Sequence, residues 1–232
     1  MNLFDLYKDE LKGFFKSKVM AFLWIGLPVL VLILHFLPNT DGGVADQTFS
    51  FTLLSALLVS GIGGTLSAVM LSVSIINEKN RHVYELFLIR PVKRYEIVLA
   101  KFFAVYSCVA AAALIAVSFG LIADWVTIGT VSQMVLSNVW ESLAISLSMI
   151  ALSCSAGVLI GLVAPSILVG VILVIYGGNN LSIIPLIPTI LMDINPNIFD
   201  TINTTAFTIS SSCIVTFILL IAAIITFNKK QF

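Results

Sequence analysis

The sequence predicts an all-α integral membrane protein. It has six transmembrane helices, an N-terminal amphipathic interfacial helix, a short cytosolic helix between spans two and three, and a re-entrant hairpin between spans five and six. Three observations carry that prediction. Hydrophobic residues make up 59% of the 232-residue chain and charged residues 10%, against about 25% charged in a soluble domain, and the mean hydropathy is +1.09. The apolar residues fall in runs long enough to cross a bilayer, separated by short gaps. The 12 Lys and Arg are confined to three segments. A water-soluble fold of this length has too little interior to hide so much apolar surface, so residues 1–232 read as one transmembrane domain with no separate soluble domain.

Residues 1–18 place Leu3, Phe4, Tyr7, Leu11, Phe14 and Phe15 on one helical face, and Asp5, Lys8, Asp9, Lys12 and Lys16 on the other. That pattern suits a helix lying in the membrane surface, and equally a helix packed on a partner protein. Span one is 19–37; it contains Pro28, which a membrane bundle tolerates. It ends at Pro38-Asn39-Thr40-Asp41 without a small-residue cleavage site, so it reads as a retained helix rather than a signal peptide. Span two is 51–76, where Gly61, Gly64 and Ala68, with Thr65, form a small-residue face for close helix packing. Span three is 97–123, with Lys101 near enough to its end to snorkel into the interface. Span four is 135–163, and Ala164-Pro165-Ser166 turns the chain into span five, 166–178. Residues 179–208 are apolar but broken by Pro185, Pro188 and Asn195-Pro196, and each piece is too short to span. Backbone groups freed there must be shielded from lipid, which gives an external re-entrant hairpin; a simple apolar external loop fits the same residues. Span six is 209–227.

Basic residues set the orientation. Lys8, Lys12, Lys16 and Lys18 precede span one; Lys79, Arg81, Arg90, Lys93, Arg94 and Lys101 surround the 77–96 loop; Lys229 and Lys230 follow span six. The gaps 38–50, 124–134 and 178–208 hold none. Because cytosolic segments keep the excess of Lys and Arg, both termini and the 77–96 loop are expected in the cytosol, and six spans are consistent with that.

Within this loop Val83, Leu86, Phe87 and Ile89 form one side of a short helix, charges crowd its two ends, and Pro91 stops it. An apolar ridge between ion-pairing groups suits docking into a groove on a partner; it also suits a helix lying on the membrane with no partner. Glu78, Arg81, Glu85, Leu86 or Phe87, Pro91, Val92, Arg94, Glu96, Ile97 and Lys101 stand in the order and register of the ABC-2 type transporter permeases, whose corresponding loop typically reads E-x-x-R-G-T-x-E-x-L-x-x-x-P-V-x-R-x-E-I-x-x-x-K. His82 and Val83 depart from that family's usual Gly and Thr. The six-span layout and the Pro188…Asn195-Pro196 pattern resemble the same family. The resemblance implies a pair of such subunits, homo- or heterodimeric, in the cytoplasmic membrane, each docking a separate ATP-binding-cassette ATPase, two copies in all. It makes the loop a coupling helix, with Glu78, Arg81, Glu85, Leu86, Phe87, Arg90, Pro91 and Arg94 as docking residues. It also implies export of a substrate driven by ATP hydrolysis in the partner, which holds the ATP and Mg. This chain is then a non-catalytic subunit with no cofactor of its own; membrane lipid surrounds it, and no nucleic acid is expected.

No Gly-x-x-x-x-Gly-Lys-Ser/Thr loop is present to cradle phosphates. Cys108, Cys154 and Cys213 sit inside apolar runs and read as small hydrophobes. His35 and His82 lack partners at ligand spacing, so no metal site is expected. The polar groups within the spans include Ser72, Ser74, Ser107, Ser118, Ser146, Ser148, Ser153 and Ser155, and serines between packed helices are ordinarily structural. A mostly apolar interior suits a hydrophobic or amphipathic substrate better than a bare ion. An ion-coupled secondary transporter would keep ionisable residues deep in its spans, whereas Asp124, Glu141 and Asp193 fall near the outer interface. A non-transporting assembly factor would share the whole pattern. The residue pairs of intramembrane proteases are absent.

Overall fold

The structure, a computed structural model, describes residues 3–36, 59–81, 93–128, 133–178, 181 and 204–229. Every element among them is helical. The predicted coupling helix, with Glu85, Leu86, Phe87, Arg90 and Pro91, lies outside the described residues, as do Pro185, Pro188, Asn195 and Pro196 of the predicted hairpin and residues 51–58 of the second span.

Helix α1 (Leu3–Phe15) buries Leu6 and Phe14. The sequence reading centred its apolar face on Leu3, Phe4, Tyr7, Leu11, Phe14 and Phe15. The structure rotates that face: Phe4 is 69% and Phe15 57% exposed, while Leu6 is 3% exposed. The cause is tertiary. α1 rests along a long helix, α4 (Arg94–Ile128), and the Tyr7 hydroxyl donates to Ser107 Oγ there at 3.0 Å. The chain then bends by 65° into α2 (Lys18–Phe36). Ser17 makes the elbow: its Oγ accepts from the Val19 N–H at 3.3 Å, satisfying a donor that the new helix would leave bare. α2 runs through Pro28 and is tied to α4 by Trp24, whose indole N–H donates to the Cys108 carbonyl at 3.2 Å.

Helix α3 (Val59–Asn80) opens with a π-helical turn, Val59–Gly63. It packs along α5 (Gln133–Val163), which packs on its other side against α7 (Thr204–Lys229). Next in the chain is α6 (Ile167–Gly178), 7 residues of α-helix followed by 5 of π-helix, which packs mainly against α3. Ser166 caps it, its Oγ accepting from the Val169 N–H at 3.4 Å.

Four helices, α3, α4, α5 and α7, are long and apolar enough to cross a membrane, and the bent pair of α1 and the first part of α2 makes a fifth if it is one span. Six spans were expected; the described residues supply four or five. The shortfall lies partly in α6: at 1.5 Å per residue it reaches about 18 Å, short of the ~30 Å hydrocarbon core.

The core runs along α4. Ala100, Ala104, Cys108, Ala112 and Ala116 recur every fourth residue and are all buried, so small side chains let α2 and other helices approach closely. The α3–α5 seam is closer still. A Cβ on Gly157 would stand 2.5 Å from the Ala68 carbonyl oxygen, one on Gly161 3.0 Å from the Ser72 Cα, and one on Gly64 3.1 Å from Ser153 Oγ. The contacts pair 64 with 153, 68 with 157 and 72 with 161. Both numbers rise together by one helical turn, so α3 and α5 run parallel.

Candidate functional site

A cluster of charged residues stands where α3 ends and α4 begins, on either side of the 82–92 segment. Lys101 is at the centre. Its Nζ stands 2.6 Å from Glu10 Oε1 of α1 and 2.6 Å from Glu78 Oε1 of α3. Lys101 is 1% exposed, and the two carboxylates retain 21% and 24% side-chain exposure. From its place near the end of span three, Lys101 is expected to snorkel into the interface. The structure turns it inward instead, because two carboxylates already wait there and give its ammonium short, charge-assisted hydrogen bonds.

Local periodicity explains each position. On α4, Ile97, Lys101 and Val105 lie one turn apart on the buried face. On α1, Glu10 lies one turn from both Leu6 and Phe14, the two buried residues of that helix. Glu10 was not singled out from the sequence. The signal that finds it is a carboxylate at the centre of an i, i+4, i+8 apolar row, which demands a cation from elsewhere. Burial pushes the Glu10 carboxyl above its ordinary value, outweighing the opposite pull of the Lys101 charge and hydrogen bond; Glu78 and Asp9 add to the rise.

Glu78 also accepts from the Ser74 hydroxyl at 3.3 Å on Oε1, while its Oε2 is buried with no hydrogen-bond partner among the described residues. One turn beyond, Lys79 Nζ donates to the Ala164 carbonyl at 3.3 Å. That oxygen belongs to the end of α5, where free carbonyls and the helix dipole favour a cation. Arg81 is exposed at the end of α3, and Arg94 opens α4. Of the eight residues named for docking, then, Glu78 is engaged inside the bundle and Arg81 faces out.

Beside the ion pairs lies a cavity of about 580 Å³ between α1, the α1–α2 elbow and α3. Its walls are mostly apolar, with Glu10 and Glu78 as its charged residues.

The other sequence-marked positions are placed as follows. Gly64 and Ala68 face α5, but Gly61 has nothing within 4 Å of where a Cβ would be. Ser107, Ser118, Ser146, Ser148 and Ser155 donate to carbonyls of their own helices at 2.7–3.0 Å, three or four residues back. Cys154 donates to Ser67 Oγ at 3.4 Å across the α3–α5 seam. Among the described residues no group of three His, Cys, Asp or Glu stands together as a metal site.

Residues 10–179 match the family model described as ABC-2 family transporter protein. No curated protein matches the chain. The matched segment begins at Glu10 and contains Glu78 and Lys101, so all three charged partners fall inside it.

Proposed function

The chain belongs to the ABC-2 family of transporter proteins, and from that premise we propose that it is the permease subunit of an ATP-driven exporter. It is a multi-pass membrane protein, set in the cytoplasmic membrane with both termini in the cytosol. It pairs with a second permease subunit, and the pair carries two copies of a separate ABC-type ATPase. ATP and Mg are bound and ATP is hydrolysed there. This chain supplies the path and the lever.

The observation that carries the reading is the pair of ion contacts bracketing the 82–92 segment. Glu78 stands four residues before it and Lys101 nine residues after it, and Lys101 joins Glu78 to Glu10 of α1. A segment that passes force from a partner to the bundle must be anchored at its root, or the motion is lost in hinge bending. The three charges supply that anchor, joining three helices through one buried ammonium. Glu78 therefore acts as a strut from within, and docking falls to Arg81, Glu85, Leu86, Phe87, Arg90, Pro91 and Arg94.

The interior supports an apolar or amphipathic cargo. Ser118, Ser146, Ser148 and Ser155 spend their hydroxyls on their own backbones, and the ionisable cluster is held at the basic end. A carrier coupled to protons or ions would need such a group free at mid-depth, whereas Lys101 is held by two carboxylates.

Co-purification from membranes tests the proposal. The wild-type chain is expected to bring down an ABC ATPase, and Glu85→Lys or Arg90→Glu to lose it by tenfold or more while the permease stays in the membrane at normal level. Retention of the ATPase in both variants, or capture of none by the wild type, defeats the reading.

A further inference from the structure

We propose that the cavity between α1, the elbow and α3 is a binding site for a cationic amphiphile: a molecule with an apolar body and a single ammonium-type head, taken from the bilayer. The head would sit at Glu10 and Glu78 and the body against Phe14, Val69 and Val73.

Size comes first. About 580 Å³ lies within the ~300–1,000 Å³ range of small-molecule sites. The two charged residues of the lining lie together at one end, beside largely apolar walls, which suits a ligand with a single charged head. That end holds two carboxylates against one ammonium, leaving one negative charge in excess. Lys101 meets Oε1 of each carboxylate, so its single charge is shared between them. A cationic head at this end offsets the remaining negative charge, and opposite charges attract more strongly where water is scarce. An anionic head would meet two carboxylates and be repelled.

The route in follows from Val19. It lines the cavity and is 43% exposed on the outer face of α2, beside the exposed Phe22 and Ile25. The cavity is thus continuous with an apolar surface of the kind a bilayer covers, and an amphiphile can slide in sideways without leaving lipid. Gly13 borders the same space, with nothing within 4 Å of where a Cβ would be.

The test uses the full-length chain in phosphatidylcholine nanodiscs, with tritiated decyltrimethylammonium as the probe. Saturable binding is expected, displaced by decylammonium but not by decanesulfonate. Gly13→Trp and Val69→Trp, which fill the cavity from opposite sides, are each expected to weaken binding tenfold or more without lowering the melting temperature. Binding that does not saturate, equal displacement by the two competitors, or full binding in both folded variants overturns the site. The competition arm needs no variant and decides even where a substitution disturbs folding. No ATPase is present in the assay, so a negative result here leaves the exporter reading standing, and loss of that reading leaves this site standing.

Discussion

The chemistry of this chain concentrates on one side chain. Lys101 is a full charge at 1% exposure, and it is tolerated there because Glu10 and Glu78 reach it from two other helices. Removing it alone leaves two carboxylates facing each other with no cation between them. Breaking a buried pair in this way costs about 3–5 kcal/mol, and the low end applies because both carboxylates keep some solvent. Lys101→Met is therefore expected to lower the melting temperature in detergent clearly, and adding Glu10→Gln and Glu78→Gln to restore part of the loss. A Lys101→Met protein that melts like wild type would show that the three groups do not hold the helices together. Glu10 adds a pH signature. Its carboxyl is raised by burial, so the folded state holds this proton more tightly than the unfolded chain does. Its contribution is fully present below the unfolded value and is lost as pH rises through the higher folded value. Melting temperature should fall across that window, and Glu10→Gln should flatten the fall. The sequence could have exposed this cluster. Lys101 was visible four residues inside an apolar run, and Glu10 sat between Leu6 and Phe14. What periodicity could not supply was the partner, because a lysine near a helix end has two outlets, water or a carboxylate on another helix, and only the fold chooses.

At the scale of elements, the tightest joint is the parallel pair α3 and α5, and its geometry separates two kinds of glycine. Gly157 has backbone of α3 where its Cβ would be, at 2.5 Å. A backbone atom cannot rotate away, so Gly157→Ala forces the helices apart. The expected loss is about 1–3 kcal/mol, read by thermal melting and by weaker protection of α3 amides from exchange. Gly61→Ala meets nothing within 4 Å and should be neutral or gain up to ~1 kcal/mol from helix propensity; equal losses in both would refute the seam as drawn. Small residues on span two were legible as a packing stripe, but which of them touched a neighbour was not. The partner surface, Gly157 and Gly161, lies about 90 residues away in the sequence. The shortness of α6 was legible, since the glycines and asparagines after Tyr176 already bound span five at 166–178.

For the molecule as a whole, the contacts fix how successive helices alternate. The end of α3 and the start of α4 meet at Glu78 and Lys101. The end of α5 meets Lys79 of α3 through the Ala164 carbonyl. α3 therefore ends, α4 begins and α5 ends at one pole of the bundle, which is also where the basic residues of these helices gather. Lys79 and Lys101, whose contacts define this pole, stand near Arg81 and Arg94 in the sequence. Under the proposed function this is the cytosolic pole, as the positive-inside rule expects, because a lever driven by a cytosolic ATPase has to stand there. Arg81 gives a direct measurement, because it is exposed at the end of α3. In a Cys213→Ser background, where the remaining Cys108 and Cys154 are buried, Arg81→Cys should react with a membrane-impermeant maleimide in inside-out vesicles. It should stay unlabelled in intact cells until the membrane is opened. Labelling of intact cells would place the basic pole outside. The 82–92 segment would then be out of reach of any ATP-driven partner, and the exporter reading would fall with it, while the ion contacts around Lys101 would stand unchanged.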